Sequence, residues 1–254
     1  MADLKTLLKP LVPPSVLSAW YKFNANRERA ELERCRSPKE TFTTIYRRGH
    51  WGKSGDPADR IFSGSGSRDP KIVGVYIQSV AAFLREHSPC LNAVDLGCGD
   101  FAVGSQLRPY CGAYVACDVV EDVVERNALR YRNSDVTFRV VDITQDELPS
   151  ADVVFLRQVL QHLSNSDIHR VIPKLLGYRY LVLTEHLPVS TDFEPNLDKK
   201  RGMDIRLHLG TKGSGIVLTA PPFDLHVKSA KILCEVEEPA GGIPGIIRTT
   251  LYEL

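Results

Sequence analysis

From Ala93 onward the chain alternates short apolar runs with helical stretches, and few architectures accommodate that rhythm. The runs Ala93 to Leu96, Ala113 to Cys117, Val136 to Val141, Val153 to Leu156 and Tyr180 to Leu183 read as strands buried on both faces. Helices are expected around Phe101 to Leu107, Val120 to Arg130 and Ser166 to Leu176, the last ended or bent by Pro173. Repeated strand and helix alternation implies an α/β fold: a parallel sheet, helices on both faces and right-handed crossovers. Two later runs, Ala230 to Val236 and Ile246 to Tyr252, flank the turn-rich Glu238-Pro239-Ala240-Gly241-Gly242. Such a short connection predicts an antiparallel hairpin at the sheet's edge.

Ahead of this core, Asp69-Pro70 predicts a helix start, since Asp caps well and Pro is tolerated in the first turn. Ile72, Val73, Tyr76, Ile77, Val80 and Leu84 then recur at three- and four-residue steps, giving one buried stripe. Trp51 to Asp69, with the run Ser63-Gly64-Ser65-Gly66-Ser67, reads as loop. Ser15 is the expected cap of a helix running through Trp20 to about Cys35. Residues 1–50 hold ten Lys+Arg and five Asp+Glu, a local +5, leaving −4 for the rest of a chain whose net charge is +1. The near balance of 32 basic and 31 acidic residues gives no electrostatic case for nucleic acid or a membrane surface as partner. At 254 residues, 43% hydrophobic and 25% charged, the chain fits one large domain or a domain with an added arm, and the disordered and fibrous classes are excluded. Pro10 to Tyr21, the longest uncharged stretch near the start, holds three prolines. It is too short to span a membrane and lacks a signal peptide's apolar core, so the expected location is cytoplasmic. Six scattered cysteines, none in a C-x-x-C pair, predict neither a disulfide framework nor a zinc site.

The most informative stretch is Ala93-Val94-Asp95-Leu96-Gly97-Cys98-Gly99-Asp100-Phe101-Ala102. A strand runs into a glycine turn and then a helix, an arrangement that exposes backbone amides and lets a ligand approach the chain. Alone it is ambiguous. Gly97-x-Gly99-x-x-Ala102 also satisfies the dinucleotide fingerprint, with Asp118 about where a ribose-binding acid should lie. An acid two residues before the first glycine, a third acid (Asp142) closing the third strand, and the terminal hairpin tilt the balance. In these respects Ala93 to Glu185 resembles the class I S-adenosylmethionine-dependent methyltransferases. The Arg157-x-x-Leu160-x-His162-Leu163 pattern, Trp51-Gly52, the Gly-Ser run and the late constellation Asn196-x-Asp198, Gly202, Arg206 and Pro221-Pro222-Phe223 resemble its bacterial small-molecule and glycan-associated branch.

The resemblance implies a Rossmann-like, seven-stranded, mostly parallel sheet with a C-terminal antiparallel hairpin and an N-terminal helical arm. Residues 1–68 would form the arm and lid and residues 69–254 the methyltransferase domain. S-adenosyl-L-methionine would be the cofactor, held by Asp95, Gly97, Cys98, Gly99, Asp118, Val119, Asp142, Ile143 and Arg157, with Gly64 and Ser67 over its carboxylate. Asp118 would take the ribose and Asp142 the adenine amine; each, as a strand-end Asp, could instead cap the following helix. The fourth strand end lacks the Asn/Asp-Pro-Pro-aromatic signature of methyltransferases acting on amide or base nitrogens, so the implied acceptor is a hydroxyl of a sugar, glycan or other small molecule. Alcohol acceptors must lose a proton, and histidine suits that role near neutral pH. His162 and His186, after the fourth and fifth strands, are the candidate bases, each with a core or capping role as the alternative reading. Arg157 is expected to orient substrate or pair with a carboxylate, and Arg206 to grip an acidic acceptor. No histidine spacing suggests a metal site. A second copy of the chain is a further candidate partner. The rival readings are a nicotinamide-dependent oxidoreductase, resting on the glycine spacing alone, and a catalytically silent scaffold contacting partners through the basic arm.

Overall fold

The computed structural model describes residues 23, 27–52 and 61–254. Most of the helix expected from Ser15 lies outside the described residues, and its last part, residues 27–33, is helical. A helix without a counterpart in the sequence reading follows. Helix α1 (Pro38–Arg48) starts at Ser37, whose side chain accepts from the Glu40 amide, carries Pro38 in its first turn, and stops at the left-handed Gly49. Its signal, Ser-Pro-x-Glu, was present in the sequence as a cap followed three residues later by an acid. Helix α2 (Pro70–Arg85) begins where expected, with Asp69 accepting from the Lys71 amide at 2.8 Å.

Seven strands form one sheet: β1 (Ala93–Leu96), β2 (Tyr114–Asp118), β3 (Thr137–Val140), β4 (Val153–Arg157), β5 (Tyr180–Pro188), β6 (Ser229–Glu237) and β7 (Gly245–Glu253), in the order β3-β2-β1-β4-β5-β7-β6. The first five are parallel, and β7 inserts antiparallel between β5 and β6. Side-chain alternation splits the core into two layers. Val94, Leu96, Cys117, Val154, Leu156, Leu181 and Leu183 pack on one face, and Ala93, Tyr114, Ala116, Val153, Phe155 and Val182 on the other. Strand β3 departs from the expectation of burial on both faces: as an edge strand its residues are mostly exposed.

The remaining helices are α3 (Gly104–Leu107), α4 (Glu121–Arg130) and α5 (Asn165–Leu175). Helix α3 is shorter than expected because Phe101 takes a left-handed backbone (φ 58°). That turn drives its ring between Tyr114, Tyr131 and Phe138, at centroid distances of 5.6, 5.1 and 5.0 Å. Helix α5 opens on a capping box between Ser164 and Asp167 and continues two residues past Pro173. Pro173 has no N–H to donate to the carbonyl four residues back, and the helix ends two residues later.

Candidate functional site

The carboxyl ends of β1, β2 and β4 open onto a cavity of about 300 Å³, at the edge of the size range for small-ligand sites. Its wall brings together Gly64, Ser67, Asp95, Gly97, Cys98, Gly99, Asp118, Val119, Asp142, Ile143, Arg157 and His162.

The turn after β1 is close-packed. Gly97 and Gly99 hold positive φ (77° and 53°). A Cβ on Gly97 would lie 2.5 Å from Val159 Cγ2, and one on Gly99 2.4 Å from Ser63 Oγ. The amides of this turn are not exposed for a ligand, contrary to expectation. Gly97 and Cys98 donate to the Cys117 carbonyl at 2.8 and 2.9 Å, Gly99 to Asp118 Oδ2 at 3.0 Å, Asp100 to Ser63 Oγ at 2.8 Å, and Phe101 to the Cys98 carbonyl at 3.0 Å. With Ala102 donating to Asp100 Oδ1 at 3.1 Å, a dinucleotide pyrophosphate finds no free amide among residues 97–102. The antiparallel β7 also departs from the 3-2-1-4-5-6 parallel order of dinucleotide-binding sheets.

The acids are poised differently. Asp118, 6% exposed, accepts from the Gly99 and Val120 amides at 3.0 Å each. Its remaining lone pairs border the cavity, and burial raises its pKa from 3.8 to about 6. Asp95 accepts from the Tyr114 hydroxyl at 3.2 Å and is pushed by burial to about 7. Asp142 is partly a capping residue: Oδ1 accepts from the Thr144 amide and hydroxyl, and Oδ2 from Gln145 at 2.9 Å. Burial pushes the Cys98 thiol well above its ordinary range.

The Gly-Ser segment is a fixed wall. Arg68 places Nε and a terminal nitrogen 2.9 and 2.6 Å from Oδ2 of the buried Asp100. Arg157, reaching across from β4, donates to the Gly66 carbonyl at 2.8 Å and Ser67 Oγ at 3.3 Å, with its guanidinium 5.1 Å from the Tyr76 ring centroid. Arg157 thus braces this loop and makes no carboxylate contact within 4 Å among the described residues. Ser63, Arg68 and Asp100 escaped the sequence reading because their partners are more than 30 residues away, beyond any local pattern.

At the other end, Phe42 and Tyr46 of α1 meet Trp51, whose ring centroid is 5.4 Å from that of His162. His162 closes the 3-10 turn Leu160–His162. Nδ1 lies 3.2 Å from the Gly202 carbonyl, and Nε2 lies 3.3 Å from the Gln161 side-chain nitrogen. We assign the proton to Nδ1, since its partner is an acceptor; Nε2 then carries the lone pair. Burial, reinforced by the charge of Lys199, holds the ring's pKa at about 3, so it stays neutral.

Two expectations fail. His186 is absent from the cavity wall: β5 runs on to Pro188, so His186 is an interior strand residue paired with Ile247 rather than a mouth residue. Its Nε2 donates to the Glu238 carbonyl at 2.6 Å. Arg206 cannot grip an acceptor, because it is fully buried and donates to the Leu163 carbonyl at 2.7 Å and to the Leu197 carbonyl. Glu185, between Thr184 and His186 on β5, faces opposite to them and accepts from the Leu160 amide at 3.2 Å; burial raises its pKa to about 8. All six cysteines are free. Among the described residues no group of three or more His, Cys, Asp or Glu is placed to hold a metal, and no helix is long and apolar enough to cross a membrane.

A family model described as a methyltransferase domain matches residues 94–178. Among solved structures, the N-methyltransferase NodS of Bradyrhizobium japonicum WM9, in complex with S-adenosyl-L-homocysteine, is similar at a TM-score of 0.55 and 14% identity, covering 84% of this chain and 98% of that one. The N-terminal domain of EvdMO1, in the presence of S-adenosylhomocysteine and D-fucose, is similar at 0.50 and 16%, covering 83% and 96%. A comparison with curated proteins finds no match. Residues 94–178 thus match the methyltransferase-domain model, and the seven-stranded sheet that frames the cavity has the fold of these methyltransferase structures.

Proposed function

We propose that the chain transfers a methyl group from S-adenosyl-L-methionine to a hydroxyl of a sugar, glycan or other small molecule. The observation that carries this reading is a single cavity holding Asp118 and Asp142 beside a close-packed glycine turn at one side and a neutral histidine at the other. The residues present fit the cofactor. Gly97 and Gly99 let the turn pack directly against Val159 and Ser63 at the cavity wall, and Asp118 offers backbone-held oxygens with lone pairs to spare for ribose hydroxyls. Asp142 and Ile143 would flank the adenine, while Asp95, Cys98, Val119, Gly64, Ser67 and the loop-bracing Arg157 would enclose the rest. Once bound, the cofactor supplies an electrophilic methyl on a sulfonium.

The chain's own work is positioning, which in well-oriented reactions is worth on the order of 7–11 kcal/mol, and management of one proton. His162 Nε2 is the lone pair at the wall, held by the Gln161 amide until an acceptor hydroxyl takes its place. A ring with a low pKa is a weak base, yet a hydroxyl becomes strongly acidic as its oxygen gains a methyl, so the proton can pass to it late in the transfer. Helix α1 and Trp51 act as the lid: Phe42, Tyr46 and Trp51 form an aromatic wall beside His162. EvdMO1's structure in the presence of D-fucose supports the sugar-type acceptor; NodS is an N-methyltransferase. Incubation with labelled cofactor and a panel of sugars, alcohols and amines, read by mass spectrometry for a gain of about 14 Da (one CH2), tests the reading. Methyl gain on hydroxyls supports it, and gain confined to amines refutes the O-methyl assignment.

A further inference from the structure

A second cavity, of about 360 Å³, lies behind the His162 end of the first, walled by Arg29, Leu32, Glu33, residues 199–205, His208 and Leu209. Met203 and Ile205 line both cavities, and the Gly202 carbonyl between them is the partner of His162 Nδ1. Most cations of the second cavity are already neutralised. Arg29 pairs with Asp204 at 3.0 Å, Lys200 with Glu33 at 3.2 Å and Arg201 with Asp167 at 2.8 Å.

Lys199 is different. Its amine is buried and makes no hydrogen bond, and no carboxylate lies within 4 Å of it among the described residues. A buried ammonium without a counter-charge is costly, so it is the group here most ready to accept an anion. Behind it, the guanidinium of Arg206 spends its hydrogen bonds on two neutral carbonyls, which leaves its charge uncompensated by contact. Asp198, Asp204 and Glu185 temper this positive field from a distance. Burial and Arg206 lower the Lys199 pKa to about 8, so the amine remains mostly charged at neutral pH. Its flexible four-carbon stem lets the charge turn toward a ligand.

We propose that the second cavity is an acceptor subsite, in which Lys199 takes an anionic group, a carboxylate or a phosphate ester, and holds the acceptor across Met203 and Ile205 toward His162. The inference deepens, and rests on, the reading of the first cavity as the methyl-donor site. Isothermal titration of inorganic phosphate and of acetate into the full chain saturated with S-adenosylhomocysteine tests it, using wild type, Lys199→Met, Lys199→Arg and the exposed β6 control Lys231→Met. Wild type and Lys231→Met should bind at least one anion, Lys199→Met about tenfold or more weakly, and Lys199→Arg within about fivefold of wild type, the loss expected for one charge-assisted bond. Binding of phosphate alone assigns a phosphate ester, and binding of acetate a carboxylate. No anion bound by wild type, or equal binding by Lys199→Met (an adventitious ion only), overturns the subsite while normal S-adenosylhomocysteine binding leaves the donor reading intact. Failure to bind S-adenosylhomocysteine overturns the donor reading, and the anion titrations repeated without it then judge the Lys199 site as an anion site alone.

Discussion

Asp118→Ala removes the contact on which donor binding is argued to rest. The carboxylate is buried and held by the Gly99 and Val120 amides at 3.0 Å, and burial raises its pKa from 3.8 to about 6. That rise corresponds to about 3 kcal/mol disfavouring the charge. Removing it therefore relieves roughly what is lost by orphaning two buried amides, at about 1–3 kcal/mol each. The variant should stay folded, with a melting temperature within several degrees of wild type. Binding is another matter. Two ribose hydroxyls donating to the carboxylate are worth roughly 1.5–3 kcal/mol each, so S-adenosylhomocysteine should bind at least tenfold more weakly, and about 10²- to 10⁴-fold if both bonds count fully.

The pH dependence follows from the direction of the shift. Hydroxyl donors favour the ionised form, so below about pH 6 binding must expel a proton from Asp118, and the wild-type dissociation constant should rise by up to tenfold per pH unit. Asp95, raised by burial to about 7, titrates in the neighbouring window and sets the slope that remains in Asp118→Ala. Calorimetry with S-adenosylhomocysteine from pH 5 to 8 measures both effects. Wild-type affinity in Asp118→Ala at pH 7.5, or identical pH slopes in the two proteins, would refute the ribose assignment.

Gly99→Ala should abolish donor binding while the chain remains folded, because the new Cβ meets Ser63 Oγ at 2.4 Å on a backbone with φ of 53° and displaces the 63–68 wall; unchanged calorimetry would show that the wall yields. His162→Ala should lower turnover by about 10²-fold with the KM for the donor unchanged. Since burial holds the ring's pKa near 3, wild-type kcat should show no acid limb at 6.5 that disappears in the variant, and finding one would contradict a permanently neutral ring. The same shift makes His162 a source of acid lability: its stabilisation is full above pH 6.5 and is lost as pH falls toward 3, so melting temperature against pH should be flatter over this range in His162→Gln. Glu185 acts in the opposite direction. Its folded pKa of about 8 is raised, so stability present below 4.5 is lost as pH climbs to 8, and Glu185→Gln should melt several degrees above wild type at pH 8.5 but alongside it at pH 4; equal melting temperatures at pH 8.5 would disprove the buried charge.

The sequence by itself determined the layers. Alternating apolar runs specify buried strands, and Gly97, Gly99, Asp95 and Asp118 lie in or beside a strand-turn-helix unit whose geometry is local, so β1, the glycine turn and the acid ending β2 were all legible. Asp69-Pro70 marked α2 for the same reason, and the unused Ser37-Pro38-x-Glu40 cap could have marked α1. Tertiary structure alone decided whatever depends on hydrogen-bond partners distant in the chain. Pairing with β7 prolongs β5 to Pro188 and turns His186 from a mouth residue into a sheet residue. Ser63, Asp118 and the Cys117 carbonyl occupy the turn's amides, which the glycine spacing suggested were free. Arg206 faces two carbonyls inside the fold, while Lys199, seven residues earlier in the chain, is left with an uncompensated charge. Residue type sets what a side chain can bond, but only the packed chain decides which bonds are already made, and the chemistry of this site lies in the groups left over.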